Sequence, residues 1–466
     1  MRSNARQDAA RAPKVPAKLV VPIAFGTLLQ ALNSSMIAVA LVGIRSSFHA
    51  GASVSWLISG LYLATAVGAP LMGRLADILG PRKVFFGGLA IVAISSVLAP
   101  FAPNIGVLIA LRVLLGIGTA APYPAGIAMI RAYADRHGIG NAVGGIGVLA
   151  IAGQVAVALG PPLGGLLVQF AGWQSIFLVN LPLIAVAVFF AVRYLPADEQ
   201  RSGVLRKLST VDGSGLVLFT ATMSALMLFL LSLAETPQWY LLPITVLLGV
   251  VLFVRERAAA RPFLDLRLLT DPSLRATYAR TALTYVAFYL IFYGMPSWLE
   301  SGRGLDTGLA GLVMLPLAAL GVVVVTIASR MQRRNGIRPL LVIGSTGLLA
   351  GACLLALVAR DTPLALLFGV AAVLGLPNGF NSIGNQSAVY AAAPAEQAGA
   401  ASGLYRTSQY IGANIAAAVI ELAQTGRTPT EGMHVLGYVV AGIGAVLLVT
   451  AVFSRQLRGG INRSVQ

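Results

Sequence analysis

The sequence predicts an all-α membrane protein built from two six-helix bundles and two extra helices, about fourteen transmembrane helices in all. Three observations lead there. Of the 466 residues, 57% are hydrophobic and 11% charged, and the mean hydropathy is +0.83, far more apolar than a soluble domain of average usage. The apolar residues come in runs of membrane-spanning length. The basic residues sort between those runs almost entirely to one side.

A membrane helix needs ~20 mostly apolar residues. On that criterion spans fall near 19–42, 54–72, 84–103, 107–130, 141–168 and 175–194, a first bundle of six. Two further spans, near 213–233 and 239–254, precede a basic linker from Arg255 to Arg280. A second six follows near 281–299, 307–329, 339–359, 363–390, 400–424 and 434–454. The chain thus divides into a basic tail (1–18), an N-terminal bundle (19–195), linkers with two additional helices (196–275), a C-terminal bundle (276–455) and a second tail (456–466).

Short cytoplasmic loops carry an excess of Lys and Arg. With the N-terminus inside, 27 of the 33 basic residues fall on the cytoplasmic side, Arg45, Arg303, Arg360 and Arg427 fall outside, and Arg112 and Arg406 fall within predicted helices. Both termini are then cytoplasmic, in a bacterial-type inner membrane. The formal charge of +17 is therefore a topology signal, because a nucleic-acid partner needs its charges clustered on one solvated face. Cys353 has no second cysteine to bridge to, and His49, His137 and His434 lack metal-site spacing. Arg2, Arg6, Arg11, Lys14 and Lys18 precede a long apolar run without a small-residue cleavage site, which reads as a retained first helix and not a signal peptide.

The two halves repeat one phrase. Ser329 to Arg338 (S-R-M-Q-R-R-N-G-I-R) aligns without gaps on Gly73 to Arg82 (G-R-L-A-D-I-L-G-P-R), matching Arg74 to Arg330 and Gly80 to Gly336. Asp77 meets Arg333, so the second copy has lost its acid. Paired halves around a midplane cavity are a common transporter plan.

The first copy, with Gly73, Arg74, Asp77, Gly80, Arg82 and Lys83 between two apolar runs, resembles motif A of the major facilitator superfamily, G-x-L-a-D-r-x-G-r-k. It departs mainly at Leu79-Gly80-Pro81. The resemblance implies a major facilitator fold and a gate latch on the cytoplasmic side. The plain alternative is an ordinary charged loop.

Leu111 to Ala121, with Arg112, Gly116 and Thr119, resembles the family's motif B, R-x-x-x-G-x-g. A mid-helix arginine costs ~3 kcal/mol on translocon scales, so it should face protein or a watery cavity. Arg112, Thr119 and Tyr123 would share one helical face; a structural arginine bonded to neighbouring carbonyls is the competing reading. Gly153 to Gly165 (G-Q-V-A-V-A-L-G-P-P-L-G-G), with Gly160, Pro161 and Gly164, resembles motif C, associated with the antiporters of the superfamily. Gly153, Gly160 and Gly164 would let another helix approach closely and seal the outer mouth.

Gly172 to Pro182 (G-W-Q-S-I-F-L-V-N-L-P) resembles the family's G-W-R-w-i-F-x-i-N-x-P. Arg261 to Leu269 (R-P-F-L-D-L-R-L-L) is similar to a phrase of the fourteen-helix drug:proton antiporters. That branch often carries an acid on the first helix, and Asn33 stands in its place; an asparagine takes up no proton in the physiological range. The acids left for proton coupling are Glu421 and Glu300 at outer helix ends and Asp77 at an inner one.

Gln30, Asn33 and Ser34 share a helical face, as do Asn378, Asn381 and Asn385; with Tyr285, Tyr289 and Arg406 they are candidate cavity residues, each with an alternative reading as interhelical packing. The expectation is a secondary active exporter, proton-coupled, moving drugs or lipophilic small molecules by alternating access. The alternative is an exporter or facilitator of anionic or neutral metabolites using Arg112 and Arg406, and beyond it a membrane sensor that moves nothing. No enzyme motif, P-loop or metal site is present, so no catalytic residue, ATP or cofactor is expected. The expected partners are a small-molecule substrate, protons and the lipid bilayer, with no nucleic acid and the chain acting as a monomer.

Overall fold

The computed structural model describes residues 15–137, 143–198, 212–233, 236–259, 262, 266–393 and 398–454. The side chains of some residues within helices, Asp77, Gln154 and Arg333 among them, also lie outside the described set. Among the described residues the secondary structure is entirely helical. The first half comprises α1 (Ala17–Phe48), α2 (Trp56–Leu79), α3 (Pro81–Leu98), α4 (Ile105–Thr119), α5 (Pro122–Arg136), α6 (Val143–Ala171), α7 (Ser175–Leu178) and α8 (Asn180–Tyr194). A hairpin of α9 (Gly213–Ser232) and α10 (Leu241–Ala258) follows. The second half comprises α11 (Pro272–Ser301), α12 (Thr307–Val313), α13 (Leu315–Asn335), α14 (Ile337–Leu355), α15 (Leu364–Ala392), α16 (Ala398–Gln424) and α17 (Pro429–Phe453).

Among the described residues, eleven helical stretches are long and apolar enough to cross a membrane. Helices also stand at the three other places where spans were expected, namely α6, α10 and α16. Phe170, Phe189, Leu357 and Phe101 are each more than two-thirds exposed around the outside, as a lipid-facing surface requires. The chain is an integral membrane protein.

Local chemistry explains the helix ends. Asn104, Asp271, Asp306 and Thr428 cap α4, α11, α12 and α17 by accepting from free backbone N–H groups, and Glu431 completes a capping box with Thr428. Three expected spans are broken, that near 175–194 at Val179, between α7 and α8. The fourth divides at Ala120-Ala121, where Pro122 opens α5, and the second span of the second half divides at Met314, ahead of Pro316. The linker also ends sooner than expected: α11 begins at Pro272, which takes Arg280 out of the linker and into a buried helix turn.

The repeated glycines terminate corresponding helices. Gly80 ends α2 at φ 108° and Gly336 ends α13 at φ 80°, a region that costs glycine nothing. Arg82 Nη2 then donates to the Val192 carbonyl at 3.3 Å, near the end of α8. Arg338 Nη2 donates to the Val452 carbonyl at 2.6 Å, near the end of α17. Each arginine therefore caps the last helix of its own half, where the carbonyls lack partners and a cation is favoured. We call the end carrying Arg82 and Arg338 the basic end.

Within the first half α1 packs on α6 and α8, and α4 on α2 and α3. Within the second, α14 packs on α15 and α17, α13 on α15, and α11 on α16. The halves meet where α6 crosses α12 and α13, α2 meets α16, and α1 meets α11. The α9–α10 hairpin rests on α16 and α2, clasped by Arg255, which binds Asp212 and lies 2.5 Å from Glu256.

Candidate transport site between the two halves

Tyrosines occupy the junction. Tyr62 on α2 hydrogen-bonds Tyr293 on α11 at 3.0 Å, and its ring lies 4.9 Å from that of Tyr289 and 5.9 Å from that of Tyr410. Tyr293 donates to the Ser34 carbonyl at 2.7 Å, and Gln30 Nε2 donates to the Tyr410 hydroxyl at 3.2 Å. Four helices from both halves thus converge on one aromatic cluster. Toward the basic end Arg406 lies over the Tyr123 ring at 4.5 Å, a cation–π contact across the junction. Tyr285 meets the Ser382 hydroxyl at 3.3 Å. Of the expected cavity residues, Gln30, Ser34, Tyr285, Tyr289 and Arg406 come to this cluster or its border; Tyr62, Tyr293 and Tyr410 were missed, the first and last because single tyrosines on α2 and α16 leave no local pattern, whereas Tyr293 continues the i, i+4 spacing of Tyr285 and Tyr289 and could have been found from it.

Asn33 is elsewhere. Its Nδ2 donates to Asn180 Oδ1 at 2.7 Å, and Asn180 Nδ2 returns a bond to Asn33 Oδ1 at 3.0 Å and reaches Ser96 Oγ at 2.9 Å. All three are buried inside the first half, so Asn33 ties α1 to α8 and does not line the junction with Gln30. The asparagine of the Gly172–Pro182 phrase supplies the partner.

Arg112 is fully buried. Nη2 donates to the Asn33 carbonyl at 2.6 Å and Nε to the Leu57 carbonyl at 3.2 Å, the carbonyl-bound arrangement weighed as the competing reading. Nη1 is buried without a partner. Because the helix breaks after Thr119, Tyr123 does not continue the Arg112 face; Thr119 bonds back to the Gly116 carbonyl at 3.2 Å, and Gly116 lets α4 touch the Leu61 carbonyl of α2, where a Cβ would stand 2.8 Å away.

At the opposite end from Arg82 the junction is shut. A side chain at Gly160 would collide with Ser35 of α1, and one at Gly164 would meet Met36 Cα at 3.1 Å. Gly165 and Gly311 bring α6 against α12, with the Thr307 carbonyl in one cleft and Pro161 carbonyl carbon 3.1 Å from the place of a Gly311 Cβ. Gly153 faces open space, so it takes no part in the packing expected of it. Here too Arg45 of α1 pairs with Glu421 of α16 at 2.8 Å, and Ser55 donates to the same Glu421 oxygen at 3.1 Å. Glu300 accepts from the Thr307 hydroxyl at 3.2 Å through Oε2, while its Oε1 is buried without a partner.

At the basic end Asp198 holds the loop after α2. Its oxygens accept from the backbone N–H of Arg82 at 3.0 Å and of Lys83 at 2.9 Å, and a Cβ at Gly80 would strike its carboxylate. Gly73 lies 3.6 Å, as a Cβ, from Pro124. Arg74 is exposed. The Asp77 side chain is outside the described residues, so its expected latch contact is not placed. Asn378 accepts from Ser382 at 3.4 Å, Asn385 bonds Arg280, and Asn381 has no partner; these three lie inside the second half and not on the tyrosine cluster. Among the described residues no group of acids, histidines and cysteine could hold a metal ion.

A profile of the Major Facilitator Superfamily matches residues 23–417. The chain belongs to the major facilitator superfamily. It is similar to the "Uncharacterized MFS-type transporter YwoD" of Bacillus subtilis, 32% identical over 442 residues, covering 94% of this chain and 97% of that one. It is also similar to "Multidrug resistance protein Stp" of Mycobacterium tuberculosis, 29% identical over 411 residues, 86% of this chain and 74% of the other. The structure of the nucleoside transporter NupG superposes with a TM-score of 0.67 at 14% identity, covering 93% of this chain and 98% of that one, a likeness of fold. Members of this superfamily are transporters and not enzymes.

Proposed function

We propose that this transporter is a proton-coupled exporter of lipophilic, drug-like small molecules, working by alternating access in a bacterial inner membrane with both termini cytoplasmic. The fourteen-helix branch is the reading that the α9–α10 hairpin supports. The observation that carries the proposal is the tyrosine cluster where the halves meet. Tyr62, Tyr289, Tyr293 and Tyr410 present apolar faces with polar tips, chemistry that accepts varied lipophilic bodies without demanding one hydrogen-bond pattern. A relative named as a multidrug resistance protein is consistent with such cargo.

The acid best placed for coupling is Glu421. It lies on the same helix as Arg406 and Tyr410 and bridges the halves through Arg45, so adding a proton would loosen that end and let the halves part. Both halves come from one chain, so a single copy supplies every residue of the site. Efflux of fluorescent cationic, neutral and anionic compounds from a pump-deficient bacterial host, with and without a protonophore, tests the proposal. Protonophore-sensitive export of lipophilic compounds is expected; absence of export for every class would overturn it.

Export of anionic or neutral cargo is the second reading. Arg406 lies on the cluster, Arg112 keeps one buried donor unpartnered, and among the described residues neither forms an ion pair with a carboxylate. Efflux confined to anions and neutral compounds would select it.

A further inference from the structure

Behind the tyrosine cluster, inside the second half, α11, α13, α14 and α15 enclose a small pocket. Its walls are mostly apolar: Phe288, Ile291, Pro377 and three leucines face it, and its polar groups are the neutral side chains of Thr284, Asn378 and Asn381. Among the described residues no charged group lines it. Asn381 is 1% exposed, and neither atom of its amide has a hydrogen-bond partner among the described residues. It is seated against Gly344 of α14, where any Cβ would strike its oxygen, so glycine there makes room for this amide. A buried amide without partners is a net cost, and such an exception calls for a ligand or water to account for it.

The pocket borders the junction. Phe288 and Asn378 are its least buried residues, and both reach the cluster. The Phe288 ring lies 5.1 Å from that of Tyr289 and 6.1 Å from that of Tyr285. Asn378 Oδ1 accepts from the Ser382 hydroxyl at 3.4 Å, and that hydroxyl meets Tyr285 at 3.3 Å. A compound lying on the tyrosine faces therefore has a polar recess beside it, with Phe288 as the shared wall.

The size and chemistry of the recess select its occupant. Its free space is about that of one water molecule, so it admits one small substituent and not a whole drug. Apolar walls without a counter-charge disfavour an ion. The Asn381 amide offers both donor and acceptor, and a hydroxyl, the size of a water, answers both at once. We propose that this pocket is a subsite of the transport site that reads a single neutral hydroxyl on a lipophilic aromatic cargo, with Asn381 as the specificity-determining residue. The proposal rests on the export reading for its cargo. It narrows that cargo to alcohols whose ring packs on the tyrosine faces.

Thermal unfolding of the full-length chain in lipid nanodiscs tests this with three probes that share one ring system: naphthalenemethanol, its isostere ethylnaphthalene, and sodium naphthoate, each corrected for partition into empty nanodiscs. A ligand bound only to the folded state raises the melting midpoint by mass action. The alcohol should half-saturate this rise at a concentration roughly tenfold or more below that of the hydrocarbon, as a hydrogen bond made in a buried site does. Asn381→Leu should bring the two concentrations together while the hydrocarbon still binds, a result that loss of fold would not produce. Asn378→Leu, at the less buried rim, should narrow the difference in part and serves as the second variant. Equal half-saturation by alcohol and hydrocarbon in the wild-type chain, or an alcohol preference that survives Asn381→Leu, would overturn the proposal. Tighter binding of naphthoate than of the alcohol would place the polar group at Arg406 and overturn it as well. Efflux of the same compounds separates the two readings. Export without preference for the alcohol removes only this subsite, whereas a binding preference without export of either compound removes the export reading and leaves the subsite.

Discussion

Asparagine 33 shows how far a residue can be read from its neighbours in sequence. Its side chain can bond but not titrate, which was legible. That it would bond Asn180, 147 positions away, was not. Replacing Asn180 by alanine leaves the Asn33 amide and the Ser96 hydroxyl short of a buried partner, which should cost about 1–3 kcal/mol. A lowered midpoint of thermal unfolding in detergent would show it; an unchanged midpoint would mean that water replaces the lost partner. Arg406 belongs to the other kind of residue, one whose setting is functional. Arg406→Gln removes the charge over Tyr123 while keeping much of the bulk, and efflux should fall at least about tenfold if the cation–π contact closes the site. Efflux at the wild-type rate would remove Arg406 from the transport site.

At the scale of elements, glycine positions decide how closely helices approach. The run from Gly153 to Gly165 gave the right helix and the right character, yet only Gly160, Gly164 and Gly165 are used in close packing. Gly160 and Gly164 serve α1, whereas Gly165 serves α12 in the other half. Periodicity along one helix names a face but not the partner across it. Gly160→Val would push α6 away from Ser35 and Met36 and so strain the seal. The expected outcome is a leak, read as increased labelling by a membrane-impermeant thiol reagent of a cysteine placed at Ser34 in a Cys353→Ala background. Labelling equal to that of the parent would show that α6 accommodates the side chain. The repeated Gly80 and Gly336 were legible as a pair, and each does end a helix at positive φ. Their following arginines cap α8 and α17, a shared role visible only after the last helix of each half folds back.

On the scale of the whole molecule, the contacts at the end bearing Arg45 and Glu421 are those that must break for the halves to separate there. The ion pair, the Ser55 bond and the α6–α12 crossing all lie at that end. Glu421→Gln retains a hydrogen-bonding side chain of the same shape but holds no proton to exchange. Its efflux should lose most of its dependence on external pH, checked in vesicles with an imposed proton gradient. A wild-type pH profile would move the coupling away from Glu421, with Glu300 the next acid to test.

Composition, span lengths, basic-residue sorting and the motif phrases were enough to read an all-helical transporter of two related halves, because a bilayer leaves few solutions for an apolar chain. Those signals are local or periodic, so a sequence carries them openly. The tertiary structure decided what the side chains meet. It turned Asn33 inward, bound Arg112 to two carbonyls, drew Arg280 from the linker into a buried turn of α11, and gathered tyrosines from α2, α11 and α16. Helix rotation and crossing set these contacts through packing between residues on different helices, far apart along the chain, and no spacing along the chain encodes them in readable form.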